Sequence, residues 1–158
     1  LRTVSSRTLR TYDPNIRPAL LRPRAAAVAR VETIMAASHV VKLSDEDAEW
    51  LYPALTPRQV CTHLVELGAG VAALTAGGSG AILQSSRAVV DVGAPRVAVR
   101  DTVGAGDTFC GYLAAGLHSG LALPDAMRLA AAAGSLAWIK PGAQPSIPTL
   151  DDVQAALS

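Results

Sequence analysis

Short apolar runs alternate along the chain with amphipathic ones, and the alternation predicts strands and helices in turn. Val28, Val31, Ile34 and Met35 share one face at helical spacing, which predicts a helix over Ala25–Ala37. His39-Val40-Val41-Lys42-Leu43 reads as a short buried strand. Ser44 is a capping residue, and Asp45, Glu46 and Asp47 suit a first helical turn, so a helix is expected from there to about Tyr52. Thr56-Pro57 opens a helix that Gly68 stops. Val71–Leu74, Ala81–Leu83 and Ala88–Val92 read as strands, and Arg96-Val97-Ala98-Val99-Arg100 as one more. Helices are then expected over Thr108–Leu117, over Asp125–Ile139 behind Pro124, and over Leu150–Leu157 behind a Thr149 cap. Strand and helix alternate often enough to predict an α/β fold with a partly parallel sheet, forming a single domain over residues 1–158.

Composition narrows the class. Half of the residues (50%) are hydrophobic and 17% are charged, the balance of a globular chain with a core. A net charge of +1 and 4% aromatic residues supply neither the field nor the stacking platforms that nucleic acid or an anionic membrane needs. The longest apolar run, Leu129–Ile139, is too short to span a bilayer. The Arg- and Ser-rich N-terminus lacks the apolar stretch of a signal peptide. It resembles an organelle transit segment, but a chain that starts within a domain is the preferred reading. Cys61 and Cys110 have no paired spacing and are expected as free thiols of a cytoplasmic protein. His39, His63 and His118 show no metal-ligand spacing.

The chemistry concentrates in Asp101-Thr102-Val103-Gly104-Ala105-Gly106-Asp107. A glycine turn between a strand and a helix start offers unpaired N–H groups and the positive end of the helix dipole to an anion. Asp107 beside that end reads either as an N-cap, the commoner use of Asp there, or as a general base next to a bound phosphate. Three further loops carry candidates. Asp13-Pro14-Asn15-Ile16-Arg17-Pro18 is extended by its prolines, with Asp13, Asn15 and Arg17 at period two on one face. Ser44-x-x-Asp47 is a helix cap or an outer-shell contact to hydrated Mg²⁺. Thr75-Ala76-Gly77-Gly78-Ser79-Gly80 is a tight turn or a close approach to a nucleotide. All four loops follow predicted strands, and ligands in α/β sheets bind at the C-terminal strand ends.

There is no P-loop, no third glycine of a dinucleotide fingerprint and no nucleophile elbow. An anion hole, a carboxylate, a second glycine turn and a nearby Arg are parts for phosphoryl transfer to a hydroxyl. With Val41-Lys42-Leu43-Ser44 and Gly142-Ala143-Gln144-Pro145-Ser146, these motifs resemble in order and spacing the PfkB (ribokinase-like) carbohydrate kinases, over about Tyr12–Leu157. Asp-Pro-Asn-x-Arg-Pro is most similar to the fructokinase branch. The resemblance implies a three-layer α/β/α ribokinase-like (Rossmann-like) fold, here incomplete: the C-terminal ATP-binding and catalytic half, without the N-terminal half and lid.

It also implies ATP-dependent phosphorylation of a sugar hydroxyl, with Mg²⁺ and K⁺ as cofactors. Asp107 would be the base, and Gly104, Ala105 and Gly106 the anion hole. Thr75, Gly77, Gly80 and Gly106 would line the ATP site, and Asn15 and Arg17 would face phosphates or sugar. A monovalent cation would take Asp101, Val103, Ala137, Lys140, Gly142 and Ser146, largely through backbone carbonyls. Asp47 stands where the family's Asn-x-x-Glu places a Mg²⁺ contact, on a shorter side chain. The complete protein is expected as a homodimer, and a non-catalytic nucleotide-binding remnant is the alternative reading.

Overall fold

The structure is a computed structural model and describes residues 8–158. The transit-like N-terminal segment falls largely on residues 1–7, outside the described residues. The described chain gathers into two compact units. One runs up to Thr75 and includes Ile82–Val90; the other comprises Ala76–Ala81 and Asp91–Ser158.

The strands of a five-stranded sheet follow in chain order: β1 (Thr11–Tyr12), β2 (Val40–Ser44), β3 (Val71–Thr75), β4 (Ala81–Ser85) and β5 (Val89–Val92). β1, β2 and β3 are parallel, with Tyr12 opposite Val41 and Ser44 opposite Thr75. The segments joining β3 to β4 and β4 to β5 are too short for a parallel crossover, so these strands fold back as hairpins. Helices α1 (Arg24–Ala36), α2 (Asp45–Leu51) and α3 (Pro57–Leu67) carry the chain between the parallel strands. Val41, Leu43 and Leu74 of the sheet are buried with Val31 and Met35 of α1 and with Val60, Cys61 and Leu64 of α3. Ala27 completes the buried face of α1, and Ile34 stays half-buried.

Local signals account for these ends. Ser44 accepts from the Asp47 amide at 3.0 Å, and Asp47 accepts back from the Ser44 amide at 3.2 Å, a reciprocal cap. Thr56 with Gln59 repeats the device on α3, with Pro57 at the first position. Thr149 with Asp152 repeats it on the last helix.

The second unit holds α4 (Ala105–His118), α5 (Leu123–Leu136) and α6 (Leu150–Leu157). α5 packs closely on α4 because small residues face it. A Cβ on Gly116 would stand 3.2 Å from the Ala126 Cβ, and one on Gly134 would stand 3.3 Å from the Ala105 carbonyl oxygen. Ala130, Ala132 and Ala133 of α5 are buried, with Val153 of α6 against the last two.

Three expectations are corrected. Arg96–Arg100 is not a strand: the apolar alternation is present, but no ladder partner meets it, and Val99 is exposed. The helix expected from Thr108 begins at Ala105, one turn earlier. The helix expected to reach Ile139 tightens after Leu136 into a 3-10 turn, Ala137–Ile139, as helix ends often do.

Candidate active site

In the first unit, the parallel strands bring three of the predicted loops to one sheet edge, since Asp13, Ser44 and Thr75 all stand at C-terminal strand ends. Their contacts are mutual. The buried Lys42 ammonium donates to Asp13 at 3.0 Å. The Ile16 amide donates to Asp47 at 2.8 Å, and the Thr75 hydroxyl donates to the Leu43 carbonyl at 3.4 Å.

The extended Asp13–Arg17 face is corrected. Asn15 has φ 45°, in the left-handed region that Asn tolerates, and this breaks the period of two. Asp13 turns to Lys42 and caps the Asn15 amide at 3.2 Å. Asn15 and Arg17 do meet: the guanidinium donates to the Asn15 side-chain oxygen at 2.7 Å, and both residues are exposed.

Asp47 has both oxygens engaged by amides, those of Ile16 and Ser44, and is buried. That is the capping role. Asp47→Ala would leave two backbone donors without their acceptor, and a loss of about 2 kcal/mol is expected in urea unfolding. An unchanged midpoint would remove this reading of Asp47.

In the second unit, Gly104 is the N-cap of α4, with φ 82°, so Asp107 falls at the third helical position. Its side chain makes no capping bond and is exposed, which corrects the N-cap reading. Gly104 is held to glycine twice over, by its left-handed φ and by the Ala143 Cα, which a Cβ would approach to 2.9 Å. Of the turn amides, that of Ala105 points at the Thr102 carbonyl at a long 3.4 Å. Those of Gly106 and Asp107 have no backbone acceptor among the described residues, as expected of a first helical turn.

Asp101 holds this turn in place. One of its oxygens accepts from the Val103 amide at 3.0 Å, the other from the Gly142 amide at 2.8 Å. The Gly142 amide, then that of Val103, keep its carboxyl below the ordinary aspartate range. A depressed carboxyl contributes stability that is complete above the unfolded-state pKa and lost as pH falls through the lower native value. The melting-temperature advantage of the parent over Asp101→Asn should therefore shrink as pH drops from about 5 to about 2. A gap constant over that range would contradict the linkage.

Of the expected cation ligands, Asp101, Gly142 and Ser146 meet in the same loop. Ser146 is buried, its amide donating to the Gly142 carbonyl at 3.2 Å and its hydroxyl to the Ala143 carbonyl at 3.0 Å. Trp138, between Ala137 and Lys140, accepts from the Arg100 and Asp101 amides. The donors are oxygens throughout, the set a hard cation takes. Among the described residues there is no cluster of three or more His, Cys, Asp or Glu side chains suited to a metal.

Gly77 and Gly80 close their turn in the same unit. The Ala76 amide donates to the Gly80 carbonyl at 2.8 Å, and the Gly80 amide to that of Gly77 at 3.1 Å.

Sequence reasoning passed over a cleft of about 410 Å³ beside Asp107, walled by Gly111, Tyr112, Ala115, Ala143, Gln144 and Ile147. Gly111 and Ala115 follow Asp107 at steps of four, so small residues on one helix face next to the carboxylate carried the signal. Tyr112 is fixed by donating to the Pro148 carbonyl at 2.8 Å. Cys61 is buried and Cys110 partly so, and neither is in a disulfide. No helix among the described residues is long and apolar enough to cross a membrane.

The profile of the pfkB family carbohydrate kinases matches residues 4–150. The chain belongs to that family. It is similar to the fructokinase of Rhizobium leguminosarum bv. trifolii, at 38% identity over 108 residues, covering 68% of this chain and 33% of that protein. It is similar to the 2-dehydro-3-deoxygluconokinase of Bacillus subtilis (strain 168), at 29% identity, covering 94% of this chain and 46% of that one. Its fold matches the crystal structure of fructokinase from Vibrio cholerae O395 in its fructose, ADP and calcium ion bound form. The TM-score is 0.83 and the identity 26%, over 94% of this chain and 50% of that one. The fold is ribokinase-like, in part. The chain spans between 33% and 46% of the length of the two curated relatives named here.

Proposed function

We propose that this chain carries the phosphoryl-transfer machinery of an ATP-dependent sugar kinase, with fructose as the favoured acceptor. The observation that carries the reading is Asp107: an exposed carboxylate, not used as a cap, one turn into a glycine-capped helix in which the Gly106 and Asp107 amides have no backbone acceptor among the described residues. Asp107 accepts the proton of the sugar hydroxyl. The sugar oxygen forms its bond to the γ-phosphorus as the bond to the bridging oxygen breaks, and ADP leaves with that electron pair. Charge on the transferring group meets the N–H groups of the Gly104-Ala105-Gly106 turn and the positive end of α4.

Thr75, Gly77, Gly80 and Gly106 serve ATP in this reading, and Asn15 and Arg17 serve phosphate or sugar, the guanidinium by its two-pronged donation. Asp101, Val103, Ala137, Lys140, Gly142 and Ser146 would hold K⁺, which would supply fixed positive charge to offset that of the phosphates. Mg²⁺ would supply charge neutralisation on the phosphates. Fructose is favoured by Asp13-Pro14-Asn15-Ile16-Arg17-Pro18, the motif most similar to the fructokinase branch, taken with the 38% identity over 108 residues to the Rhizobium fructokinase; ribose or 2-keto-3-deoxygluconate is the alternative acceptor.

A second reading is a module that binds nucleotide without transferring phosphate. Melting the chain with and without ATP, then measuring fructose-dependent ADP release, separates them. A melting temperature raised by ATP together with sugar-dependent release supports the kinase. A raised temperature with no release supports the module, and an unchanged temperature overturns both.

A further inference from the structure

Within the second unit, the two glycine turns are not independent, and Trp138 joins them. Its carbonyl accepts from the Arg100 amide at 2.8 Å and the Asp101 amide at 3.3 Å, at the foot of the turn that leads to Asp107. Its ring reaches the other way. The outer edge of the indole lies 3.6 Å from where a Cβ on Gly77 would stand, in contact range of the Gly77–Gly80 turn.

The indole N–H is buried without an acceptor among the described residues. An unpaired buried donor is costly, so hydrogen bonding does not account for a Trp here. Phe or Leu would fill an apolar space without that cost. What Trp alone supplies is reach, since no other side chain carries a rigid flat surface as far from its own backbone. The 3-10 turn Ala137–Ile139 that ends α5 fixes the carbonyl and the ring together on one short, stiff segment.

We propose that Trp138 is a positioning residue for the nucleotide. Its ring sets the Gly77–Gly80 turn relative to the Asp101–Gly106 turn, so that both meet one bound ATP. This rests on the ATP-site reading above.

The test is amide hydrogen exchange by NMR on the full chain, with ATP affinity measured in parallel, for the parent, Trp138→Ala and Trp138→Phe. Both variants keep the backbone carbonyl; neither reaches Gly77. In each, exchange at Ser79 and Gly80 should quicken about tenfold, the equivalent of one lost aromatic contact, and ATP should bind about tenfold more weakly. Arg100 and Asp101 should keep their protection, because their acceptor remains. A merely structural role for the ring would instead raise exchange across the unit, Arg100 and Asp101 included, and that result overturns the proposal. So does unchanged exchange at Ser79 and Gly80, or unchanged ATP affinity in a parent that binds ATP. If the parent binds no ATP, the nucleotide role falls with the ATP-site reading, whereas localised exchange at Ser79 and Gly80 still establishes the mechanical link between the turns.

Discussion

Asp107→Asn is expected to reduce fructose-dependent ADP release by a factor of about 100 to 10,000, the range associated with a positioned general base. ATP affinity should stay within about twofold, less than half a kcal/mol. The asymmetry follows from the geometry. The Asp107 side chain makes no capping bond and is exposed at the third position of α4, so the amide variant removes no internal contact of the fold. The nearby amides and the Gly104 cap belong to the backbone and survive the change. Asn matches Asp in size yet cannot accept a proton at neutral pH, so shape is preserved while base chemistry is lost. Had Asp107 been the N-cap, Asn would have served nearly as well, since the two rank together at that position. Full turnover in the variant would return Asp107 to a helix-dipole role and remove the base from the proposed reaction. Loss of ATP binding along with turnover would mean that the carboxylate organises the turn.

The parts of the fold that were legible in the sequence are those settled within a few residues. Ser44, Thr56 and Thr149 cap helices because their oxygens reach amides three residues on, and that geometry needs no distant partner. The parallel strands β2 and β3 were legible as short apolar runs. The misread places all depend on distant contacts. Arg96–Arg100 has the alternation of a strand, but a strand exists only by pairing, and the pairing partner is not written in its own residues. The start of α4 was placed a turn late because Gly104-Ala105-Gly106 has the composition of a loop. Asp101 reaching Gly142, and Gly134 packing on Ala105, secure that first turn from distant parts of the chain. The shift changed the chemistry as well as the boundary, because it moved Asp107 from cap to third position. The face of Asp13, Asn15 and Arg17 failed for a similar reason: Lys42 draws Asp13 aside, and Asn15 takes a left-handed conformation that spacing alone does not foretell.

Gly80→Ala should be the most damaging single methyl in the chain, lowering stability by about 4 kcal/mol or more, in the range reserved for named steric faults. Two costs act together. Gly80 has φ 94° and ψ −147°, close to the backbone region that glycine alone occupies without strain. A Cβ there would also collide with the Val92 carbonyl oxygen and stand 3.0 Å from the Gly93 Cα, both backbone atoms that cannot swing away as a side chain can. The turn must therefore open, or Val92 must move. Either movement disturbs the Ala76–Gly80 hydrogen bond that closes the turn beside Trp138. The neighbouring Gly78→Ala is the control: its Cβ meets nothing within 4 Å, so it should stay within about 0.5 kcal/mol of the parent. Urea unfolding of the two variants measures the contrast, and ATP binding should weaken in the first and hold in the second. Equal midpoints would mean that the turn is loose enough to absorb a methyl group, and a loose turn could not present its amides to a nucleotide in the way the proposed site requires.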